Sequence, residues 1–184
     1  LGKMVSVGRL LPEKGFEYII NALALLQEEY PLLALDIYGE GPLAMPLQDL
    51  IKSLGLEERV FLKGFLPYNE ILHVLSQYEV FISHPIETSY IAEAFLMANM
   101  EAMASGLPVI TSDCGGVPFV VENHAMVVPQ KDVVSIKKAI GDLLKNQHSV
   151  SEYSLQGRKY IEDNYSVITV AKKWDDALKL LMEL

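Results

Sequence analysis

The sequence predicts an α/β fold, a parallel sheet of about six strands with helices packed on both faces. Short, uninterrupted apolar runs, such as residues 60–62, are typical of strands that are buried on both sides. These runs alternate along the chain with segments in which apolar residues recur at helical spacing. In such a fold a ligand binds at the carboxyl ends of the strands, where the strand order reverses. The loops that follow the strands are therefore the candidate site.

The predicted strands are short, and turn residues follow most of them. We predict strands at residues 4–8, 33–38, 60–62, 79–83, 107–111 and 126–129. The first helix is predicted at residues 16–30, since Pro31 ends its apolar repeat. Gly55 is predicted to end the second helix as its C′ residue. The later helices are predicted at residues 47–54, 70–77 with Asn69 as N-cap, 93–101, 119–122, 133–146, 151–164 and 168–184.

The composition indicates one globular domain from a reducing compartment. Of the 184 residues, 51% are hydrophobic, which is enough for a domain with a real core. The net charge of −9 disfavours nucleic-acid binding and broad adhesion to anionic membranes. Cys114 is the one cysteine, so no disulfide can form within the chain, which fits the cytoplasm. No apolar run approaches the ~20 residues of a membrane span.

The start of the chain predicts that it is a piece of a longer protein. The first residue is not Met, a strand pattern begins almost at once, and no signal peptide is recognisable. We therefore expect a further domain outside this sequence.

The predicted helix at residues 93–101 is apolar on all sides, which is typical of a buried helix. It nevertheless carries two carboxylates, Glu93 and Glu101. On a continuous helix they would lie about 12 Å apart. Since a glutamate is rarely buried without a partner, either both face a cleft or each has a hidden partner.

Arg9 and Lys14 place two cations in one strand-to-helix loop, directly after Gly8. A guanidinium fork and an ammonium group suit a diphosphate, and the N-terminus of the following helix would add to the attraction. Two solvated loop charges would explain the pair as well.

Two pairs of glycines follow other strands. Gly39 and Gly41 allow either a close approach of a ligand or a tight turn, and Gly115 and Gly116 offer bare amides or a flexible turn. Neither pair forms a Walker loop or a dinucleotide fingerprint. His84 follows a strand end and could reach a ligand.

Other catalytic constellations are missing from the sequence. No set of His, Cys, Asp and Glu has the spacing of a metal site, so we predict no metal. No Gly-x-Ser-x-Gly elbow for serine catalysis occurs. Cys114 has no evident histidine partner in sequence and is interpreted as a buried bystander.

The glycine, cation and carboxylate motifs occur in a fixed order along the whole chain. They read Arg9-x4-Lys14, Gly39-Glu-Gly41-Pro42, Glu93-x7-Glu101-Ala-Met-Ala-x-Gly106-x-Pro108, and Gly115-Gly116-x-Pro118. Together they resemble the C-terminal, donor-binding domain of retaining glycosyltransferases of family 4, which have the GT-B fold.

The resemblance implies a Rossmann-like domain over residues 1–184 that binds a nucleotide-diphosphate sugar. Arg9 and Lys14 would hold the diphosphate and stabilise the leaving group. Glu101 would accept hydrogen bonds from the ribose hydroxyls, and Glu93 would lie beside the donor sugar. Such enzymes transfer a hexosyl-type sugar from a UDP- or GDP-sugar to a glycan, lipid or small acceptor, and they need no cofactor or metal.

The resemblance also implies an N-terminal acceptor domain that this chain lacks. We therefore do not expect turnover by this chain alone, and any membrane contact would come through the missing domain. Residues 174–184 include apolar positions that would pack on that domain.

The chain departs from the family pattern at Ala94-Phe95-Leu96, where Gly-Phe-Gly or Gly-Phe-Pro is usual. Phe119 replaces a usual Glu, and His124-Ala125 replaces a usual glycine. The residues at positions 94–96 normally bring amides to the donor sugar, and Phe95 and Leu96 are the candidates here. The departures keep two alternatives open: a binding module that has lost transfer activity, and one half of a sugar-nucleotide epimerase.

Overall fold

The computed structural model describes residues 2–90 and 96–182. It contains one six-stranded sheet in the order β3-β2-β1-β4-β5-β6, in which all neighbouring strands are parallel. The strands are β1 (Lys3–Val7), β2 (Ala34–Tyr38), β3 (Val60–Gly64), β4 (Val80–Ile82), β5 (Val109–Ser112) and β6 (Met126–Val128). The predicted α/β class and the six predicted strands are confirmed.

The strand order reverses between β1 and β4, and this reversal positions the site. Val5 of β1 pairs with Asp36 of β2 on one side and with Phe81 of β4 on the other. The chain runs outward from β1 to β3 and then returns to build the second half of the sheet. The loops after β1 and β4 therefore diverge, and a crevice opens at the carboxyl ends of these strands.

Helices cover both faces of the sheet, as predicted. They are α1 (Phe16–Ala24), α2 (Ala44–Ser53), α3 (Ile71–Leu75), α4 (Met97–Ala104), α5 (Val117–Val121), α6 (Val133–Lys145), α7 (Gln147–Tyr165) and α8 (Val167–Met182). One apolar cluster joins α1, α2 and α6 to the sheet, and a second joins α4, α5 and α7 to the opposite face. Met4 belongs to the first cluster and Val5 to the second, as alternation along a strand requires.

Several helix boundaries differ from the prediction. α7 begins at Gln147, four residues before the predicted start at 151, because Asn146 caps it there. α1 ends at Ala24, and residues 25–29 continue as turns that keep Leu26 buried in the core. α2 begins at Ala44, three residues earlier than predicted, with Pro46 in its first turn. A proline is tolerated there because the first helical N–H groups have no partner within the helix. Gly55 follows α2 with φ of 65°, so its predicted role is confirmed.

The prediction that Asn69 caps a helix is wrong. Asn69 lies inside a 3-10 turn at Tyr68–Glu70, which leads directly into α3, and Pro67 precedes that turn. The 3-10 turn takes the place of the predicted first helical turn, and α3 itself is only five residues long.

The predicted continuous helix at residues 93–101 is also wrong. α4 begins at Met97, because Leu96 has extended backbone angles of φ −91° and ψ 92°. Residues 91–95, which include Glu93, lie outside the described residues. The 12 Å separation inferred from an unbroken helix therefore does not apply. The expectation that the helix is mostly buried holds, since Met100, Ala102 and Met103 are in the core while Met97 is exposed.

The C-terminal helix α8 has no buried residue. Its large apolar side chains, such as Trp174 and Leu181, are each 66% exposed. The described helices include none that is long and apolar enough to cross a membrane.

Candidate functional site

Two adjoining cavities lie at the carboxyl end of β1. The first, of about 300 Å³, is the α4 cavity, and it is lined by Val7, Gly8, Arg9, Lys14, Leu96, Met97, Ala98 and Glu101. The second, of about 310 Å³, is the β2 cavity, and it is lined by Val7, Gly8, Arg9, Tyr38, Gly39, Glu40, Phe65 and Leu66. Because Val7, Gly8 and Arg9 line both, the two cavities form one cleft along the reversal of strand order.

The loop between β1 and α1 brings both predicted cations to the α4 cavity. A 3-10 turn at Pro12–Lys14 shortens the loop, and Gly15 ends that turn in the left-handed region. Arg9 and Lys14 then line the same wall, together with Gly8. Since the whole chain has a net charge of −9, this wall is a local site of positive charge that could attract an anion.

Glu101 lies in the second turn of α4 and lines the α4 cavity. Its side chain is half-buried, and burial raises the pKa of its carboxyl above the usual value. The structure thus brings Glu101 to the same cavity as Arg9 and Lys14. A carboxylate there could accept hydrogen bonds from a polar ligand that the two cations also hold.

A buried polar network anchors α4, and the sequence analysis missed it. Asn99 is fully buried, and its side chain accepts a hydrogen bond from Ser83 Oγ at 2.8 Å and donates one to Thr111 Oγ1 at 3.0 Å. The Ser83 and Thr111 hydroxyls lie 2.9 Å apart. The network joins α4 to the ends of β4 and β5. The sequence signal for this network is Asn99 itself, a single amide among the mostly apolar residues of the predicted helix. A buried amide needs hydrogen-bond partners.

Gly39 and Gly41 are needed because two loops pass very close to each other. Their φ angles are 150° and 156°, and a Cβ at either position would overlap the carbonyl of Gly8 or Leu10. The same loops are joined by a hydrogen bond from Leu10 N to Glu40 O of 2.8 Å. This backbone packing accounts for both glycines. Gly39 also lines the β2 cavity, and a ligand contact at either glycine stays a prediction.

The loops after β4, β5 and β6 are held together by side chains. Gln130 accepts a hydrogen bond from Glu87 N at 2.6 Å, and its own backbone N–H donates to Asp113 Oδ1 at 2.9 Å. Gly115 N donates to Glu87 Oε1 at 3.2 Å. Gly116 directly precedes α5. Neither of these glycines lines the two cavities of the cleft, and their predicted contact with a ligand stays untested.

His84 is buried rather than presented to the cleft. It is only 1% exposed, its Nε2 accepts a hydrogen bond from Lys131 N at 2.9 Å, and its ring lies 5.6 Å from that of Tyr18. Burial lowers the pKa of His84 to about 4, against the opposing charges of Asp113 and Asp132. The residues that line the two cavities do not include His84, and its predicted contact with a ligand stays a prediction.

The remaining predicted site residues are placed as follows. Leu96 lines the α4 cavity beside Met97. Glu93 and Phe95 lie outside the described residues. Within residues 2–90 and 96–182, no group of three or more His, Cys, Asp and Glu side chains could hold a metal ion. Cys114 is fully buried.

Comparison with known proteins identifies the family. Residues 2–160 match the family model described as "Glycosyl transferases group 1". The chain belongs to this family. As a group 1 glycosyl transferase domain, it has curated relatives in bacteria, plants and animals.

Three curated relatives show how similar this chain is to other members of the family. A GDP-mannose-dependent alpha-(1-6)-phosphatidylinositol monomannoside mannosyltransferase of Mycolicibacterium smegmatis is 32% identical over 88% of this chain and 44% of its own length. A putative colanic acid biosynthesis glycosyltransferase of Salmonella typhimurium is 31% identical over 82% of this chain and 38% of its own length. A poly(glycerol-phosphate) alpha-glucosyltransferase of Bacillus subtilis is 28% identical over 99% of this chain and 26% of its own length. The group 1 domain thus spans less than half the length of each of these relatives.

Solved glycosyltransferase structures share the fold. Anabaena HepE, solved in complex with UDP and glucose, has a TM-score of 0.84 at 22% identity, over 96% of this chain and 48% of its own. Staphylococcus aureus TarM, solved with UDP, has a TM-score of 0.82 at 23% identity, over 95% of this chain and 34% of its own. The Rossmann-like architecture of this group 1 domain is therefore that of one part of each of these larger proteins.

Proposed function

We propose that this chain is the donor-binding domain of a retaining glycosyltransferase of family 4. The enzyme transfers a hexosyl-type sugar from a nucleotide-diphosphate sugar to a glycan, lipid or small-molecule acceptor. A second domain, N-terminal to this chain, binds the acceptor. The observation that carries the proposal is that Arg9, Lys14 and Glu101 line one cavity at the reversal of strand order.

Arg9 and Lys14 bind the diphosphate of the donor in this proposal. When the glycosidic bond breaks, negative charge grows on the departing diphosphate, and the sugar becomes oxocarbenium-like. Fixed cations on that side stabilise the transition state more than the ground state. The two side chains take the part that Mg²⁺ plays in other nucleotide-sugar enzymes, so the transfer needs no metal or other cofactor.

Glu101 binds the ribose in this proposal. Its carboxylate accepts hydrogen bonds from the two hydroxyls of the ribose, the sugar that joins the base to the diphosphate. Because burial raises the pKa of Glu101, protonation begins above the usual range for a glutamate. We expect nucleotide affinity to fall as the pH drops into that range.

The donor sugar and the base occupy opposite ends of the cleft in this proposal. Leu96, with Glu93 and Phe95 before it, contacts the sugar at the α4 cavity. Phe65, Leu66 and Gly39 line the β2 cavity, where the base lies. Similar proteins support both UDP- and GDP-sugars as donors, since the mycobacterial relative is GDP-mannose-dependent and HepE was solved with UDP. The enzyme works in the cytoplasm, where such donors are made.

Calorimetric titration of this chain with UDP, GDP and ADP tests the site. We expect one of the three to bind, and Arg9→Ala or Glu101→Gln to weaken its affinity roughly tenfold or more. Lys52→Ala and Glu57→Gln are matched controls, since both side chains are exposed away from the cleft. The site assignment is wrong if no nucleotide binds at millimolar concentration, or if the two controls weaken binding as much as the two site variants.

A catalytically silent nucleotide-sugar module is the second candidate. The observation that favours this candidate is Leu96. Its side chain lines the α4 cavity at a position where the family usually has Gly or Pro. Assays of the full-length protein separate the two functions: an enzyme transfers the sugar with retained anomeric configuration, whereas a silent module binds the nucleotide without transfer. Residues 1–184 by themselves are expected to be inactive in either case, because the proposal places acceptor binding on a second domain.

A further inference from the structure

A separate cavity lies on the face of the sheet that α3 leaves uncovered. It has a volume of about 380 Å³, and Lys3, Asp36, Phe61, Lys63, Gln77 and Tyr78 are among its lining residues. Lys3 is the first residue of β1, whereas the cleft begins after the last one. We call this the sheet-face cavity. The helix on this face, α3, is only five residues long.

The polar floor of the sheet-face cavity is fixed by hydrogen bonds. The Tyr78 hydroxyl donates to Asp36 Oδ2 at 2.5 Å and lies 3.1 Å from the hydroxyl of Tyr38. Lys63 Nζ lies 3.8 Å from the same Asp36 oxygen. This network holds the carboxylate in place and leaves the ammonium group of Lys63 only loosely engaged. An acceptor and a donor are therefore presented side by side.

The charges of the cavity favour a neutral polar ligand. Lys3 and Lys63 would attract an anion, but the Asp36 carboxylate lies between them in the same cavity and opposes it. A purely apolar ligand would take the Asp36 carboxylate and the Lys63 ammonium group out of water without adding a hydrogen bond to either. Sugar hydroxyls both donate and accept, so two neighbouring hydroxyls can bind Asp36 and Lys63 at the same time.

Phe61 supplies the apolar part of the surface. Its ring is 39% exposed at the cavity and projects from β3, which is the edge strand of the sheet. The C–H face of a pyranose ring can cover such a ring and remove apolar surface from water. We propose that the sheet-face cavity is a second sugar-binding site, which takes a neutral pyranose with adjacent hydroxyls, such as a unit of a glycan chain.

The site goes beyond the proposed donor function and does not depend on it. Tyr38 lines both the sheet-face cavity and the β2 cavity. A glycan bound at the new site would therefore lie next to Tyr38, which also lines the cleft. This would retain a growing glycan near the enzyme between successive transfers.

Titration of the ¹⁵N-labelled chain followed by NMR tests the proposal. The probes are methyl α-D-mannopyranoside, methyl α-D-glucopyranoside and maltotriose. We expect at least one to shift the amide signals of β2 and β3, with a Kd on the order of 1–10 mM. Phe61→Ala should weaken this binding about tenfold, and Lys63→Gln should also weaken it. Phe119→Ala is the matched control, since that exposed phenylalanine lines neither the sheet-face cavity nor the two cavities of the cleft.

The result that would overturn the proposal is equally specific. Absence of any shift at about 50 mM probe, or an unchanged Kd in Phe61→Ala, contradicts it. Stronger binding of inorganic pyrophosphate at the same amides would show an anion site instead. UDP is titrated as a separate probe of the cleft. Loss of UDP binding in Glu101→Gln, with sugar binding intact, would show that the two sites bind their ligands independently.

Discussion

The two halves of the sheet build their ligand-facing edge in different ways. After β1 and β2, the loops are held by backbone packing, in which Gly39 and Gly41 lie against the carbonyls of Gly8 and Leu10. After β4, β5 and β6, side chains make the connections, as in the hydrogen bonds that Gln130 forms with the loops after β4 and β5. The first half tolerates no added Cβ at Gly39 or Gly41, whereas the second depends on side chains that accept hydrogen bonds from backbone N–H groups. The two halves should therefore respond differently to substitution.

The largest expected effect is that of Gly39→Ala. The new Cβ would overlap the Gly8 carbonyl, and the backbone at φ of 150° would be strained as well, so we expect a loss of about 3–5 kcal/mol in the free energy of unfolding. Urea denaturation measures it. Gly55→Ala is the matched control, because Gly55 also has a positive φ, of 65°, but no atom lies within 4 Å of the added Cβ. We expect it to cost only about 1 kcal/mol. Equal losses in the two variants would show that glycine is required at position 39 because of its φ angle, not because of the contact between the loops.

The next effect concerns acid stability in the second half of the sheet. Burial lowers the pKa of His84 from 6.5 to about 4, so the unfolded chain binds a proton more readily than the folded one. Stability is then fully present above pH 6.5 and is lost as the pH falls towards 4, by up to roughly 3 kcal/mol. His84→Gln should remove this part of the slope, and unfolding curves of both proteins across that window measure it. His148→Gln, in an exposed position, is the control. An unchanged slope in His84→Gln would contradict the assignment.

A smaller loss is expected when the buried network at α4 is broken. Asn99→Leu removes two hydrogen bonds and leaves the hydroxyls of Ser83 and Thr111 with one partner fewer, so we expect a loss of about 1–2 kcal/mol. Nucleotide affinity should fall as well, because α4 carries Glu101. The triple variant Ser83→Ala/Asn99→Leu/Thr111→Val leaves no polar atom unpaired and should recover much of the stability. Failure of that recovery would show that side-chain shape, not hydrogen bonding, anchors the helix.

The smallest expected effect is a gain in stability rather than a loss. Burial raises the pKa of Glu101, so the folded chain holds its proton more tightly than the unfolded one. The charged form therefore costs stability once the pH rises above the usual glutamate range. Glu101→Gln should raise the Tm of the free chain at pH 7 by about 1–3 °C, while it weakens nucleotide binding. A drop in Tm would show that the carboxylate has a stabilising partner in the folded chain.

Sequence patterns predicted the first half of the sheet better than the second. The Gly39-Glu-Gly41-Pro42 turn and the cations of the first loop are local signals, and the structure brings Arg9 and Lys14 to one cavity. The polar connections of the second half join residues far apart in sequence, such as Glu87 and Gln130. No local pattern marks such pairs. The apolar repeat predicted that α4 exists and is largely buried, but not that it begins at Met97, because the extended backbone of Leu96 has no signature in composition.

The glycines of the first half limit the substitutions that this sequence can accept during evolution. A position that admits no Cβ has no neutral substitution, so we expect Gly39 and Gly41 to persist in related chains whatever sugar those chains use. The connections after β4, β5 and β6 are different, since each joins an acceptor side chain to a backbone N–H, which any residue except proline supplies. The side chains of Glu87, Asp113 and Gln130 can therefore change without a matching change at the residue that donates. The edge formed by β4, β5 and β6 is thus free to diversify, while the edge formed by β1 and β2 is held constant.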